Sequence, residues 1–278
     1  MGDFGDVTEI DVGEPIKIGC FTNSKSRVLR LVHISDTHLQ TPETPIPDGD
    51  VLVHSGGFFN FYKGVGSFLE EVSILEKFFA SQPHKYKIFV AGNHEQSFVG
   101  QPIERIRARL GSVIYLQDNS VMIEGLTFHG SPWTGKRKST AAAFVTPFPE
   151  LGKYWVMIPK ETDVLITHCP PHRVLDDNGI MGCPLLREIV VKEIRPMLHL
   201  FGHSHQGTRV IEKQGIFMSN GAQYGNESAH PLVFDIHLSP DLPNKTKLYK
   251  PSIWKEDTTD SSQDDTNENK KSFNCNLI

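Results

Sequence analysis

The 278-residue chain is 38% apolar and 22% charged, ordinary globular composition with room for one large α/β domain or two small ones, not for a chain disordered throughout. Its net charge of −5 gives no general attraction to polyanions, so a nucleic-acid duplex is not expected as a partner. The cysteines Cys20, Cys169, Cys183 and Cys275 show neither CxxC spacing nor a dense framework, and there is no apolar leader or spanning run, so a reducing, cytoplasmic setting is expected.

Residues 1–26 read as an N-terminal extension. A main domain is expected over 27–253. Within it VLRLVHIS (28–35), DVLVHS (50–55), KIFVAG (87–92), DVLITH (163–168) and MLHLFGHSH (197–205) share one design, a short apolar run followed by polar or Gly-rich residues. Continuous rather than alternating apolarity predicts strands buried on both faces, as in a layered α/β protein. Helical periodicity fits 67–80, 102–110 and 184–195, where Pro102 and Pro184 each suit a first turn. Between 113 and 131 short strands are expected, broken at Asp118-Asn119 and Glu124-Gly125. Residues 134–150 read as a loop or insertion, and 208–238 as a second group of strands. From 254 to 278 the chain is polar and acidic, which predicts a disordered tail.

Five strand-end loops carry residue types that bind metals or sit beside them. They are Asp36-Thr37-His38, Gly56-Gly57, Gly92-Asn93-His94-Glu95, Thr167-His168 and Gly202-His203-Ser204-His205. Open α/β sheets place their chemistry at such strand ends. Each motif alone is a weak signal, and their ordered combination is a strong one.

In these motifs the chain resembles the calcineurin-like metallophosphoesterase superfamily, whose pattern is DxH, GD, GNH[DE], H and GHxH. The accessory segments YLQD (115–118), GSPWTG (130–135), THCPPHRVLD (167–176) and FGHSHQG (201–207) most resemble the small brain metallophosphoesterase-domain proteins. The resemblance implies a four-layer α/β/β/α sandwich of two mixed sheets flanked by helices, and metal-dependent hydrolysis of phosphomonoesters or phosphodiesters, including cyclic nucleotides. It implies Asp36, His38 and His205 on a first metal, Asn93, His168 and His203 on a second, and His94 as the acid that protonates the leaving oxygen or steadies the phosphate. Imidazole and hard oxygen donors suit Mn, Fe or Zn.

The pattern breaks at position 57, where a carboxylate should bridge the two ions and this chain has Gly57. Without it the first site keeps two histidines and one carboxylate, and the second keeps only neutral donors. Two dications with no anion between them repel strongly. One firmly held ion, one weak ion and reduced activity are therefore expected. The rival expectation is a weakly active or inactive scaffold that binds a nucleotide or a protein partner.

Other residues divide between structural and functional readings. His33, His54 and His199 lie inside apolar strands and are expected to be structural. His172 and Trp133 are candidate substrate contacts, the first balanced by a plain polar-loop role and the second by buried packing. Cys169 is expected to be a structural thiol, and Arg137 and Lys138 to lie on a solvated loop. The terminal CNLI partly fits a prenylation box at Cys275, although Asn276 is not aliphatic, so reversible attachment to the cytosolic face of a membrane is an expectation.

Overall fold

The computed structural model describes residues 7–19, 27–40, 45–60, 66–135, 142–206, 208–225 and 227–238. Cys20, Arg137, Lys138, Cys275 and the whole segment from 254 onward lie outside them.

The continuous apolar runs become central parallel strands. β3 (Arg27–Ile34), β4 (Val51–His54), β5 (Tyr86–Val90) and β6 (Val113–Leu116) lie side by side in parallel, and β15 (Leu232–Leu238) closes antiparallel against β3. With β2 (Ile16–Gly19) on the far edge they form a six-stranded sheet ordered β2-β15-β3-β4-β5-β6. The second sheet has seven strands. It joins β8 (Leu126–Ser131), β11 (Val164–Thr167), β12 (Leu198–Phe201) and β14 (Ile216–Asn220) in parallel at its centre. The antiparallel strands β7 (Asn119–Ile123), β13 (Arg209–Lys213) and β1 (Thr8–Ile10) flank that centre, in the order β1-β13-β14-β12-β11-β8-β7. The stretch set apart by sequence as an N-terminal extension thus supplies an edge strand to each sheet.

Strand alternation sorts the side chains into three cores. Leu31, Val51, Val53, Ile88 and Val90 meet Phe128, Val164, Ile166 and Leu200 between the two sheets. On the outer face of the six-stranded sheet, Val32, Leu52 and Phe89 pack on α1 (Phe68–Ala80) and α2 (Ile103–Leu110) through Leu75, Phe79 and Ile106. On the outer face of the other sheet, Leu165, Phe201 and Met218 pack on Trp155 of α3 (Gly152–Trp155) and on Leu186 and Ile189 of α4 (Pro184–Ile189). The layers are therefore helix, sheet, sheet, helix, the sandwich that the resemblance implies.

Helix α1 begins where the sequence places it. Ser67 caps the chain and Glu70 reaches back to the Ser67 N–H at 2.7 Å, a capping box that satisfies two otherwise unpaired donors. The third expected helix is shorter as an α-helix, because Val190–Ile194 widen into a π-helical turn before Arg195 takes a left-handed conformation. The region read as a loop at 134–150 contains a small parallel pair, β9 (Thr134–Gly135) with β10 (Val145–Thr146). No described helix is long and apolar enough to cross a membrane.

Candidate metal centre

Each ligand-bearing loop leaves the C-terminal end of a parallel strand, and the two packed sheets bring those ends to one place. Asp36 and His38 follow β3, Gly57 follows β4, and Asn93 and His94 follow β5. His168 follows β11, and His203 and His205 follow β12. Two loops of the six-stranded sheet are fastened to each other by main-chain bonds, with Asp36 N–H donating to Gly56 O (2.8 Å) and His38 N–H to Gly57 O (3.1 Å). The seam is closed by Ser35 N–H to Gly221 O and Tyr224 N–H to Asp36 O, at 2.8 and 3.0 Å. Asp36, His38 and His203 all have positive φ (47°, 47° and 69°), backbone strain of the kind that collects at functional sites.

Asp36, His38 and His205 place their donor atoms within 4.8 Å of one another. Two of the imidazoles have their tautomer fixed from behind. His38 Nδ1 lies 2.6 Å from Phe59 O, and His168 Nδ1 lies 2.9 Å from Ser55 O. A carbonyl oxygen only accepts, so both rings carry their proton on Nδ1 and turn the Nε2 lone pair inward. His38 Nε2 faces His205 Nε2 at 3.2 Å, and all three imidazoles approach one carboxylate oxygen. His168 Nε2 is 3.9 Å and His38 Nε2 4.0 Å from Asp36 Oδ1, and His205 Nε2 is 3.4 Å from the same oxygen. Asp36 Oδ1 is buried and accepts no hydrogen bond in good geometry among the described residues. Inward-facing imidazole nitrogens gathered around one buried carboxylate oxygen are a donor set that fits a divalent ion.

Burial pushes the Asp36 carboxyl up, but His168, His205 and His38 together hold it well below the ordinary carboxylate range. Burial pulls the His205 imidazole down, and Asp36 outweighs it and holds its pKa above the usual value. Burial holds the His38 and His168 imidazoles below their usual value.

The other three expected ligands and the expected acid lie alongside. Asn93 Oδ1 is 2.7 Å from His168 Nε2, and the His168 and His203 rings stand 5.0 Å apart. The His94 ring is 4.2 Å from that of His38, and burial with His38 and His168 nearby lowers its pKa to about 3. A cavity of about 390 Å³ opens in front, lined by Asn93, His94, His203 and His205 together with Asp177 and Met181.

Gly57 has φ +69°, and its carbonyl is turned to the His38 N–H, away from the role of metal donor. Its N–H, with those of Phe58, Phe59 and Gly92, is received by the carboxylate of Glu95. Burial pushes Glu95 up to about 7 against these four donors, which pull it down. Glu95 thus ties the Gly57 loop to the Asn93 loop.

The remaining candidates have definite places. Trp133 stacks on Tyr154 at 3.9 Å and donates its indole N–H to Asp118 at 2.7 Å, and it does not line the cavity. His172 is partly exposed, 3.7 Å from the buried Asp176, whose carboxylate accepts from the Arg173, Gly179 and Gly182 N–H groups. Asp176 braces the loop that presents Asp177 and Met181. Cys169 is fully buried, and burial raises its thiol well above the usual range. His33 joins Ser219 and Ser55 across the seam, His54 holds Thr37 at 3.0 Å, and His199 holds Thr167 at 2.8 Å, all structural roles.

Sequence reasoning passed over Ser35, Tyr224 and Asp177. Ser35 donates its hydroxyl to Asp36 Oδ2 at 2.7 Å. Tyr224 stands edge-on to His38 and His205 at 4.8 and 5.5 Å. Adjacency to Asp36 was a signal for Ser35. Tyr224 lies in a loop without a motif, and only the fold brings it near.

Comparison with known proteins gives a consistent answer. A family profile described as Calcineurin-like phosphoesterase matches residues 29–207. Two UPF0046 proteins of Caenorhabditis elegans are similar, one 37% identical over 226 residues (75% of each chain), the other 35% identical over 263 residues (85% of this chain, 90% of that one). Metallophosphoesterase domain-containing protein 1 of Homo sapiens is 35% identical over 209 residues, 66% of this chain, and this chain spans only 62% of that protein's length. A solved crystal structure superposes with a TM-score of 0.53 at 14% identity, over 75% of this chain and 95% of that one, a likeness of fold alone. With the matched span running through every ligand loop from Asp36 to His205, the chain belongs to the calcineurin-like phosphoesterase family.

Proposed function

We propose that the chain hydrolyses phosphomonoesters or phosphodiesters, cyclic nucleotides among them, and does so slowly. The observation that carries this reading is the buried Asp36 Oδ1 faced by the Nε2 atoms of His205, His168 and His38 at 3.4, 3.9 and 4.0 Å. Asp36, His38 and His205 would hold one divalent ion firmly, and Asn93, His168 and His203 a second more weakly. Manganese, iron or zinc suits these donors. Such ions supply a nucleophilic hydroxide near neutral pH and draw charge from the phosphoryl oxygens.

The chain's own residues orient and screen. The carbonyls of Phe59 and Ser55 hold His38 and His168 with Nε2 toward the centre. His94, neutral in its buried setting, gains a proton most readily when an anionic phosphate enters the cavity, and it then donates to the leaving oxygen. The absence of a side chain at Gly57 is the reason for assigning a reduced rate. It also favours the second reading, a scaffold that binds a nucleotide or a protein in the same cavity. Prenylation of Cys275 would add reversible membrane attachment, and intact-mass measurement from a eukaryotic host tests that.

The deciding experiment supplies manganese, iron or zinc to chelator-treated protein and follows hydrolysis of bis(p-nitrophenyl) phosphate and a 3′,5′-cyclic nucleotide. Metal-dependent turnover that disappears in His205→Ala is expected. Nucleotide binding without turnover under any of the three metals would refute the hydrolase and leave the scaffold.

A further inference from the structure

The space beside Gly57 is already taken. A Cβ built on this glycine would lie 2.4 Å from Asp36 Oδ1 and 3.0 Å from Asp36 Cγ, closer than real Cβ atoms come. The Asp36 side chain cannot easily step aside. Its Oδ2 accepts from Ser35 Oγ at 2.7 Å and from His203 N–H at 2.8 Å, and a Cβ on Gly202 would meet the same oxygen, so the carboxylate is also walled from below. Held by one oxygen, it offers the other to both donor sets. His38 and His205 of the first set lie 4.0 and 3.4 Å from Oδ1, and His168 of the second lies 3.9 Å away. Donors around one ion at about 2.1 Å each stand some 3 to 4 Å apart, so Oδ1 is within sharing distance of both.

We propose that Asp36 serves as the bridging carboxylate of this chain, its Oδ1 shared by both ions, and that Gly57 is the residue whose missing side chain makes room for it. This rests on the metal-binding part of the preceding proposal and not on hydrolysis. Gly57 is then not a simple deletion of a ligand. One carboxylate does what two would do in the family pattern, which leaves one negative charge fewer between the ions and a weaker second site. An aspartate at 57 has nowhere to go while Asp36 keeps its position, and φ +69° adds strain for any side chain.

The test uses the full chain, stripped with chelator and titrated with manganese. Binding is followed by calorimetry, and low-temperature electron paramagnetic resonance reports whether two ions share a bridging atom. The wild type is expected to take up two ions at saturating manganese, the second more weakly, with an exchange-coupled spectrum. Gly57→Ala, whose Cβ would crowd Asp36 Oδ1, is expected to lose at least about tenfold in affinity at both sites and to lose the coupling. Asp36→Asn, nearly isosteric and able to fold even if Gly57→Ala is not, is expected to lose both ions. Gly57→Asp is expected to bind no more tightly than the wild type.

Wild-type coupling retained in Gly57→Ala would overturn the proposal. So would an Asp36→Asn protein that keeps one site at wild-type affinity, a wild type that never binds a second ion, or a Gly57→Asp protein that binds about tenfold more tightly. Two coupled ions in a protein that hydrolyses no ester would leave this inference standing and remove only the hydrolase reading.

Discussion

Mild acid should unfold this protein through its buried histidines. His33, His54 and His199 are fully buried, and burial lowers each pKa from 6.5 to about 3; burial lowers His129 to about 4. The unfolded chain therefore binds more protons than the native one below pH 6.5. The stability these groups protect is complete above that pH and is lost progressively as pH falls toward their folded values. At pH 5.5 an unfolded imidazole is mostly protonated and the folded ones are not, a difference of about 1.4 kcal/mol for each ring. The four rings together lose about 5–6 kcal/mol, of which Glu95, pushed up to about 7 and so protonated first in the folded state, returns about 2 kcal/mol. Urea unfolding of chelator-treated protein, followed by tryptophan fluorescence at pH 7.5, 6.5 and 5.5, measures this loss. His129→Gln isolates one contribution, because His129 pairs with Ser120 on β7, outside the ligand loops. That variant should lose about 1.4 kcal/mol less than the wild type between pH 7.5 and 5.5. An identical pH dependence in the two proteins would refute the reasoning.

Glu95→Gln replaces an acceptor of four backbone N–H groups by an amide whose NH₂ opposes some of them, and a loss of about 3 kcal/mol is expected in denaturant melts. Ser35→Ala frees Asp36 Oδ2 from its hydroxyl donor, and manganese affinity by calorimetry should fall about tenfold with little change in melting temperature. Cys169, buried and with its thiol raised, should resist iodoacetamide in the native protein at pH 7.5 and react only after unfolding, as mass spectrometry of the alkylated peptide will report.

The central strands and their loops were legible because burial on both faces leaves a short continuous apolar run, and in DVLVHS and DVLITH that run passes directly into polar loop residues. Helix α1 was legible from Ser67 and Glu70. The edge strands β1 and β2 were not. TEI and IKIG are short and half polar, and their pairing partners at Arg209–Lys213 and Leu232–Leu238 lie some two hundred residues away in the chain. The π-helical turn at Val190–Ile194 keeps an apolar pattern close to helical, so periodicity passes over it. In the site, residue types named the donors, but direction was invisible. That Phe59 and Ser55 carbonyls fix two tautomers, and that Asp36 lies against the glycine at 57, depends on backbone placement that no motif encodes. The sequence showed a gap at Gly57; the fold shows a side chain lying against it.

The proposed donors are divided evenly across the seam. Asp36, His38 and Asn93 come from the six-stranded sheet, and His168, His203 and His205 from the seven-stranded one. A metal centre built this way would be a gauge of how the two sheets are aligned. Interior-face residues such as Leu31 and Phe128 set the spacing on which every donor distance depends. A small slippage of one sheet over the other spreads Asp36 from His168 before it breaks any ladder. Metal affinity should therefore register damage to the inter-sheet core earlier than any measure of folding does.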